Sequence, residues 1–181
     1  GPDAAMFEIV GASLYLRAGQ NVDFETQPQL QVTVTVDDAT VGDTPDDSVA
    51  LVLSVLDINE PPTAVAGGPY EIDEGGSLAL DAAGSSDPDG DSLTYSWDIN
   101  GDGTFGDASG RTVTLSWSQL AVLGIADDGR WSVFVEARDD LGETGQASTT
   151  LTVNNVGPSN LQLRLTLTPD SRPGTVALGG S

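Results

Sequence analysis

Apolar residues recur at every second position in one run after another along this chain, the period of a strand with one buried face. Leu30, Val32, Val34 and Val36 alternate with Gln31, Thr33 and Thr35; Trp131, Val133, Val135 and Ala137 alternate with Ser132, Phe134, Glu136 and Arg138. Leu161, Leu163, Leu165 and Leu167 alternate in the same way with Gln162, Arg164 and Thr166. Further strands are expected at Val49 to Leu56, Leu93 to Trp97 and Thr149 to Val153, and only Ser118 to Leu123 reads as a helical turn. Turn chemistry separates the runs, as in Gly42-Asp43-Thr44-Pro45, Gly67-Gly68-Pro69, Glu74-Gly75-Gly76 and Asp127-Asp128-Gly129. Short strands punctuated this way predict an all-β chain of tandem β-sandwiches of the immunoglobulin-like, Greek-key kind.

Two segments interrupt the pattern and mark expected boundaries. Asp57-Ile58-Asn59-Glu60-Pro61-Pro62 follows a strand, and its paired prolines stiffen the exit while removing donors for further sheet pairing. Asn154-Asn155-Val156-Gly157-Pro158 follows another. The chain is therefore expected to divide into residues 1–60, 61–157 and 158–181, the middle piece having the size of a complete sandwich. The outer pieces, with about four strands and two, are too short to be stable sheets alone.

Composition narrows the chemistry. The 181 residues carry a formal net charge of -22 from 28 acids and six bases, and the sequence has no Lys, His or Cys. Thiolate nucleophiles, imidazole acid/base catalysis, Ser-His-Asp triads, Schiff bases and ordinary zinc sites are excluded with those residues. A surface this acidic repels phosphate backbones and anionic headgroups, so nucleic acid is not an expected partner. No run of eighteen apolar residues is present, so direct membrane insertion is not expected either, and the first residues do not read as a signal peptide. A carboxylate pair of the glycosidase type is the one acid/base device the composition leaves, and it needs a cleft that solvated acids on a sandwich do not supply.

The acids are unevenly placed. Ser85 to Gly103 (SSDPDGDSLTYSWDINGDG) puts aspartates at both ends of the short alternating run Leu93-Tyr95-Trp97. Carboxylates packed this closely repel one another unless a cation screens them, and calcium takes six to eight oxygen ligands. Asp-Pro-Asp-Gly-Asp is also good turn sequence without any metal. The run Asp98-x-Asn100-x-Asp102-Gly103 matches the first half of an EF-hand loop, but Ser109 stands where a bidentate glutamate is required, and a hydrogen-bonded turn is the simpler reading.

Two families share these motifs. Residues 1–60 resemble the last four strands of a cadherin-type domain: Val22-Asp23-Phe24-Glu25 is similar to its Leu-Asp-Arg-Glu motif, Val36-Asp37-Asp38 to its Ala-x-Asp strand end, and Asp57-Ile58-Asn59-Glu60-Pro61 to its acidic linker. Residues 61 to 156 resemble a PKD (polycystic-kidney-disease-type) domain, a seven-stranded immunoglobulin-like sandwich. That resemblance rests on Ser85-Ser86-Asp87-Pro88-Asp89-Gly90-Asp91, Tyr95-Ser96-Trp97-Asp98 and Trp131 to Gly142.

The resemblances imply a calcium site at the junction. Its ligands would come from Asp23, Glu25, Asp57, Asn59, Glu60, Asp87, Asp89 and Asp139, with Asp38, Asp91, Asp98, Asn100, Asp102 and Asp140 as weaker candidates. They also imply a non-catalytic module, with calcium as its cofactor, in a large multi-domain protein that is secreted or displayed at the cell surface. The Lys-free, acid-rich composition points to a bacterial one. The alternative is a targeting module of a secreted hydrolase that binds carbohydrate or protein, which coplanar exposed aromatics would favour. Expected partners are neighbouring β-sandwich modules, including a homophilic or head-to-tail contact in which residues 160–178 of another copy cover the apolar faces of the first sixty residues.

Overall fold

A computed structural model describes residues 1–38, 40–42 and 45–157 of the chain. The run Leu161 to Leu167 and the expected head-to-tail segment lie outside the described residues.

The N-terminal part holds two antiparallel pairs. β1 (Phe7–Val10) pairs with β2 (Ser13–Leu16), and β3 (Gln29–Val36) with β4 (Asp47–Ser54). The alternation in β3 turns Leu30 and Val32 onto Phe7, and Met6, Leu14, Val22 and Val55 pack around that small cluster. Asp3 ties the first residues to the start of β3: its carboxylate accepts hydrogen bonds from Gln27 Nε2 at 2.7 Å and from the Gln31 amide at 2.6 Å. The register sets Leu53, Leu51 and Val49 opposite Leu30, Val32 and Val34. All three on β4 remain exposed, Val49 at 53%. The expected apolar surface on this part is therefore present.

The remaining strands form the larger unit. β5 (Tyr70–Asp73), β11 (Thr144–Asn154), β10 (Gly129–Arg138), β7 (Thr94–Asp98) and β8 (Ala108–Ser109) lie in that order in one sheet, with β5 parallel to β11 and the other pairs antiparallel. β6 (Leu78–Asp81) and β9 (Thr112–Leu115) pair on the opposite layer. Inward residues of both layers meet in one core: Leu78, Leu80 and Leu115 from one side, Trp97, Val133, Val135 and Leu151 from the other. This is a β-sandwich. Trp97 is fully buried and donates its indole N–H to the Gly110 carbonyl at 2.9 Å, whereas Trp117 and Trp131 are half-buried against the same core.

A 3-10 turn at Ala4–Met6 precedes β1, and a short α-helix, α1 (Trp117–Val122), follows β9. Ser116 precedes it and donates its amide to Gln119 Oε1 at 2.9 Å, which fixes the first turn, while Leu120 is buried in the core. The linker then docks on the sandwich through a bridge between Thr63 and Ser86 and through a close approach of Pro62 to Gly145. A Cβ on Gly145 would lie 1.8 Å from the Pro62 carbonyl oxygen, so only glycine permits this contact. The docking places Asn59 and Glu60 against the turns that carry Asp87, Asp89 and Asp139.

Candidate metal centre

Three turns and the linker converge. The Asp87–Asp91 turn folds on its own first side chain: Asp87 Oδ1 accepts the amides of Asp89 at 3.0 Å and Asp91 at 3.3 Å, and Gly90 takes the left-handed φ of +82° that closes the turn. Asp89 Oδ2 accepts the Glu60 amide at 3.0 Å and so pins the linker to the turn. Asp139, at the end of β10, is buried; its Oδ1 accepts the amides of Leu141, Gly142 and Glu143, and its Oδ2 accepts Asn59 Nδ2 at 2.9 Å. Hydrogen bonding to Asn59, opposed by desolvation and reinforced by the three amides, lowers its pKa below the usual carboxylate range.

What these bonds leave over defines the site. Asn59 Oδ1, Glu60 Oε2, Asp87 Oδ2 and Asp89 Oδ1 are each buried without a hydrogen-bond partner among the described residues. Buried acceptors are nearly always paired, because leaving one bare costs about 1–3 kcal/mol. Here four hard oxygens from the linker and a single turn are bare together. Ligand oxygens of Asp87, Asp89 and Asp91 lie within 4.8 Å of one another, as do those of Glu25, Glu60 and Asp89, so Asp89 belongs to both groups. A cavity of about 280 Å³, lined by Asp57, Asn59, Asp89, Asp91 and Leu141, opens beside them. Hard oxygens in this number and closeness fit calcium and offer nothing to a soft metal.

Electrostatics bears the mark of this crowding. Desolvation first, then the charge of Asp89 and a hydrogen bond with it, then the charges of Asp57 and Asp23, raise the Glu60 pKa. Desolvation and the neighbouring Asp140, with Asp87 and Asp89 beyond it, raise that of Asp91. The Glu25 amide favours its own carboxylate, but desolvation, a hydrogen bond shared with Asp23 and the charges of Glu60 and Asp23 outweigh it and bring the group to about 7. Asp23 moves the other way, held down by the Thr26 amide and by Glu25. It accepts the amides of Glu25 at 3.0 Å and Thr26 at 3.2 Å, forming the turn that presents Glu25.

The structure thus assembles Glu25, Asp57, Asn59, Glu60, Asp87, Asp89, Asp91 and Asp140 in one region. Asp139 stands beside them with its oxygens already occupied by donors; it positions Asn59 and is not a free ligand. Asp23 gives Oδ1 to its own turn and, like Asp87, keeps its second oxygen, with its charge near Glu60. Asp98, buried in β7, accepts the amides of Gly101 at 2.8 Å and Gly103 at 2.9 Å. Asp102 and Asn100 bond each other, and Asp102 also takes the Thr104 amide at 2.7 Å. The loop from Asp98 to Gly103 is therefore a hydrogen-bonded turn. Asp38 accepts the Thr40 amide and hydroxyl in the β3–β4 connection, at the far end of β4 from the linker. Glu74, Asp127 and Asp128 form a further group within 4.8 Å that sequence patterning did not single out. Its oxygens take the amide of Val156 and the side chain of Asn155.

An immunoglobulin-like sandwich with an acidic linker packed on its Asp-Pro-Asp-Gly turn is the class of module this geometry defines. The PKD domain model matches residues 59–154, more than half the chain, and the chain belongs to that family. It matches none of the curated proteins. Among solved structures it is similar to the PKD1 domain of Vibrio anguillarum Epp, at 23% identity over 55% of this chain and 100% of that one, with a TM-score of 0.40. It is similar also to human mucin-like protocadherin EC1-2, at 20% identity over 86% and 79% of the two chains, with a TM-score of 0.44. A structure of carbohydrate-binding modules from the β-sandwich superfamily has 21% identity over 57% of this chain, with a TM-score of 0.45; the chain spans 38% of that one's length. Among the described residues no helix is long and apolar enough to cross a membrane.

Proposed function

We propose that this chain is a non-catalytic, calcium-binding spacer module of a secreted or surface-displayed protein. In this reading calcium locks the N-terminal β-pairs to the PKD sandwich through the Asp57–Pro62 linker. The observation that carries it is the set of bare, buried oxygens on Asn59, Glu60, Asp87 and Asp89. Each of the four residues has its other polar atom or its backbone held by a hydrogen bond to the sandwich or the linker, so the bare atoms are preorganised. Cations at the two groups that share Asp89 would take up these oxygens and offset the desolvation and repulsion that raise Glu60 and Asp91. Membership of the PKD family, whose domains are typically extracellular and non-catalytic, supports the placement and the role.

Calorimetric titration of chelator-treated protein tests the reading. Calcium should bind with a Kd of about 0.1–1 mM, the range of extracellular modules, and magnesium should bind more weakly because it demands a tighter octahedron. Asp89→Asn should abolish the heat. A flat calcium titration of folded wild-type protein would remove the proposal.

A further inference from the structure

The inner row of β7 does not stop where the core stops. Trp97 is fully buried, but Tyr95, two residues before it on β7, and Leu93, which precedes the strand, are only half-buried. They floor an open slot of about 790 Å³ where the two layers of the sandwich part, within the size range of small-ligand sites. Ser86 and Ser109 stand on its rim with Arg111, whose Nη2 donates to the Ala83 carbonyl at 2.9 Å. Asp87 and Asp91 also border it, and these same residues belong to the acidic group of the metal centre. One of them, Asp87, carries a buried oxygen without a partner.

The lining selects a ligand class. β8 is the outermost strand of its sheet, but its inner edge is taken by Ser96 and Trp97 and the Tyr95 carbonyl accepts the Gly110 amide at 3.1 Å, so the floor of the slot offers no unpaired backbone there for strand addition. Anions meet two aspartates on a chain of net charge -22. A neutral ring with an apolar face and several hydroxyls suits all the parts. The face lies on Tyr95 and Leu93, and hydroxyls reach the rim groups and any cation held by Asp87 and Asp91, for which they are hard oxygen donors.

We propose that the Leu93–Tyr95 slot binds a neutral oligosaccharide whose hydroxyls coordinate the calcium held by Asp87 and Asp91. This rests on the calcium reading above, and the experiment separates the two. Isotope-labelled protein is titrated with neutral hexaoses of glucose, xylose and N-acetylglucosamine, in about 1 mM calcium and again in chelator. At least one sugar should shift the amide signals of Leu93, Tyr95, Ser109 and Arg111 in calcium, with affinity falling roughly tenfold or more in chelator. Ser109→Trp, an exposed rim change that obstructs the slot, should abolish the sugar-induced shifts while leaving the calcium titration unchanged; this variant avoids disturbing Tyr95, which packs on the core. Calcium binding with no response to any of the sugars overturns the slot assignment and leaves the spacer reading intact. Equal sugar affinity in chelator overturns the coordination of the ligand by the metal. Absence of calcium binding in the calorimeter overturns both.

Discussion

Replacing Asp87 or Asp89 by asparagine divides each side chain into a half that builds the turn and a half that faces the proposed ion. Asp87 uses Oδ1 for the amides of Asp89 and Asp91, and Asp89 uses Oδ2 for the Glu60 amide. Asparagine can keep that accepting oxygen and place an NH₂ where the bare, buried oxygen stood. In chelator the variants should therefore melt no lower than wild type, since a donor replaces a repelling acceptor beside Glu60 and Asp91. Calcium should separate them. At about 1 mM calcium and a Kd of about 0.1 mM, linkage gives roughly 0.59 × ln 11, or about 1.4 kcal/mol for one site. For a sandwich of this size that corresponds to a rise in Tm of roughly 6–11 °C. Scanning calorimetry of wild type, Asp87→Asn and Asp89→Asn, each in calcium and in chelator, measures all the terms. Wild type should rise by that amount and the variants by less than about 2 °C. A wild-type Tm indifferent to calcium would refute the reasoning about the site. Variants that melt well below wild type in chelator would refute the division of each side chain into two halves.

Other consequences are measurable on the same protein. Glu25, raised to about 7 in the metal-free state, must lose its proton to take part in binding, so calcium affinity should rise with pH and be about tenfold weaker at pH 6 than at pH 8. Asp139 has the opposite shift: its folded pKa is depressed, so its contribution is present above the unfolded value and lost as pH falls through the folded one. Acid unfolding in chelator should accordingly be less steep below about pH 4 for Asp139→Asn, which should also be less stable than wild type at pH 7. Gly145→Ala forces the Pro62 carbonyl away and should undock the linker, seen as loss of amide protection at Thr63 and Ser86. Leu151→Ala, in the centre of the core, should cost about 2–5 kcal/mol in urea unfolding without changing calcium stoichiometry in the folded protein.

The strands were legible where alternation ran clean. Leu30 to Val36 lies within β3, Trp131 to Arg138 within β10, and the helical turn expected at Ser118 to Leu123 appears as α1, one residue earlier at each end. β11 begins at Thr144, well before the expected Thr149, because Thr144 to Ser148 carries glycine and small polar residues and is held by its pairing with β10. β5 and β8 gave little signal of their own for the same reason, since neighbouring strands and not their own side chains decide them. The apolar face expected on Val49 to Leu56 is found exposed on β4, while Leu30 and Val32 of its partner β3 are buried against Phe7.

The candidate site was legible in its residue types and not in their division of labour. Turn chemistry and the two family resemblances brought forward Asn59, Glu60, Asp87, Asp89 and Asp139 alike. Two of these aspartates, Asp87 and Asp89, expose one bare oxygen each, while Asp139 has both oxygens taken by donors. The difference lies in the remaining oxygen, which the Asn59 side chain bonds in Asp139 and nothing among the described residues bonds in Asp87 or Asp89. In both turns the backbone reaches one oxygen only, with three successive amides, Leu141 to Glu143, at Asp139 and two amides at Asp87. No sequence pattern distinguishes a carboxylate with both oxygens taken from one with an oxygen to spare. The two kinds also depend on each other: Asp139, fully engaged, holds the Asn59 amide nitrogen, and that bond is what turns the amide oxygen toward the acidic group. A side chain that never touches an ion can thereby set the affinity for one. Loss of its charge should weaken calcium binding by misplacing Asn59, and Asn59→Ala should then add little to Asp139→Asn.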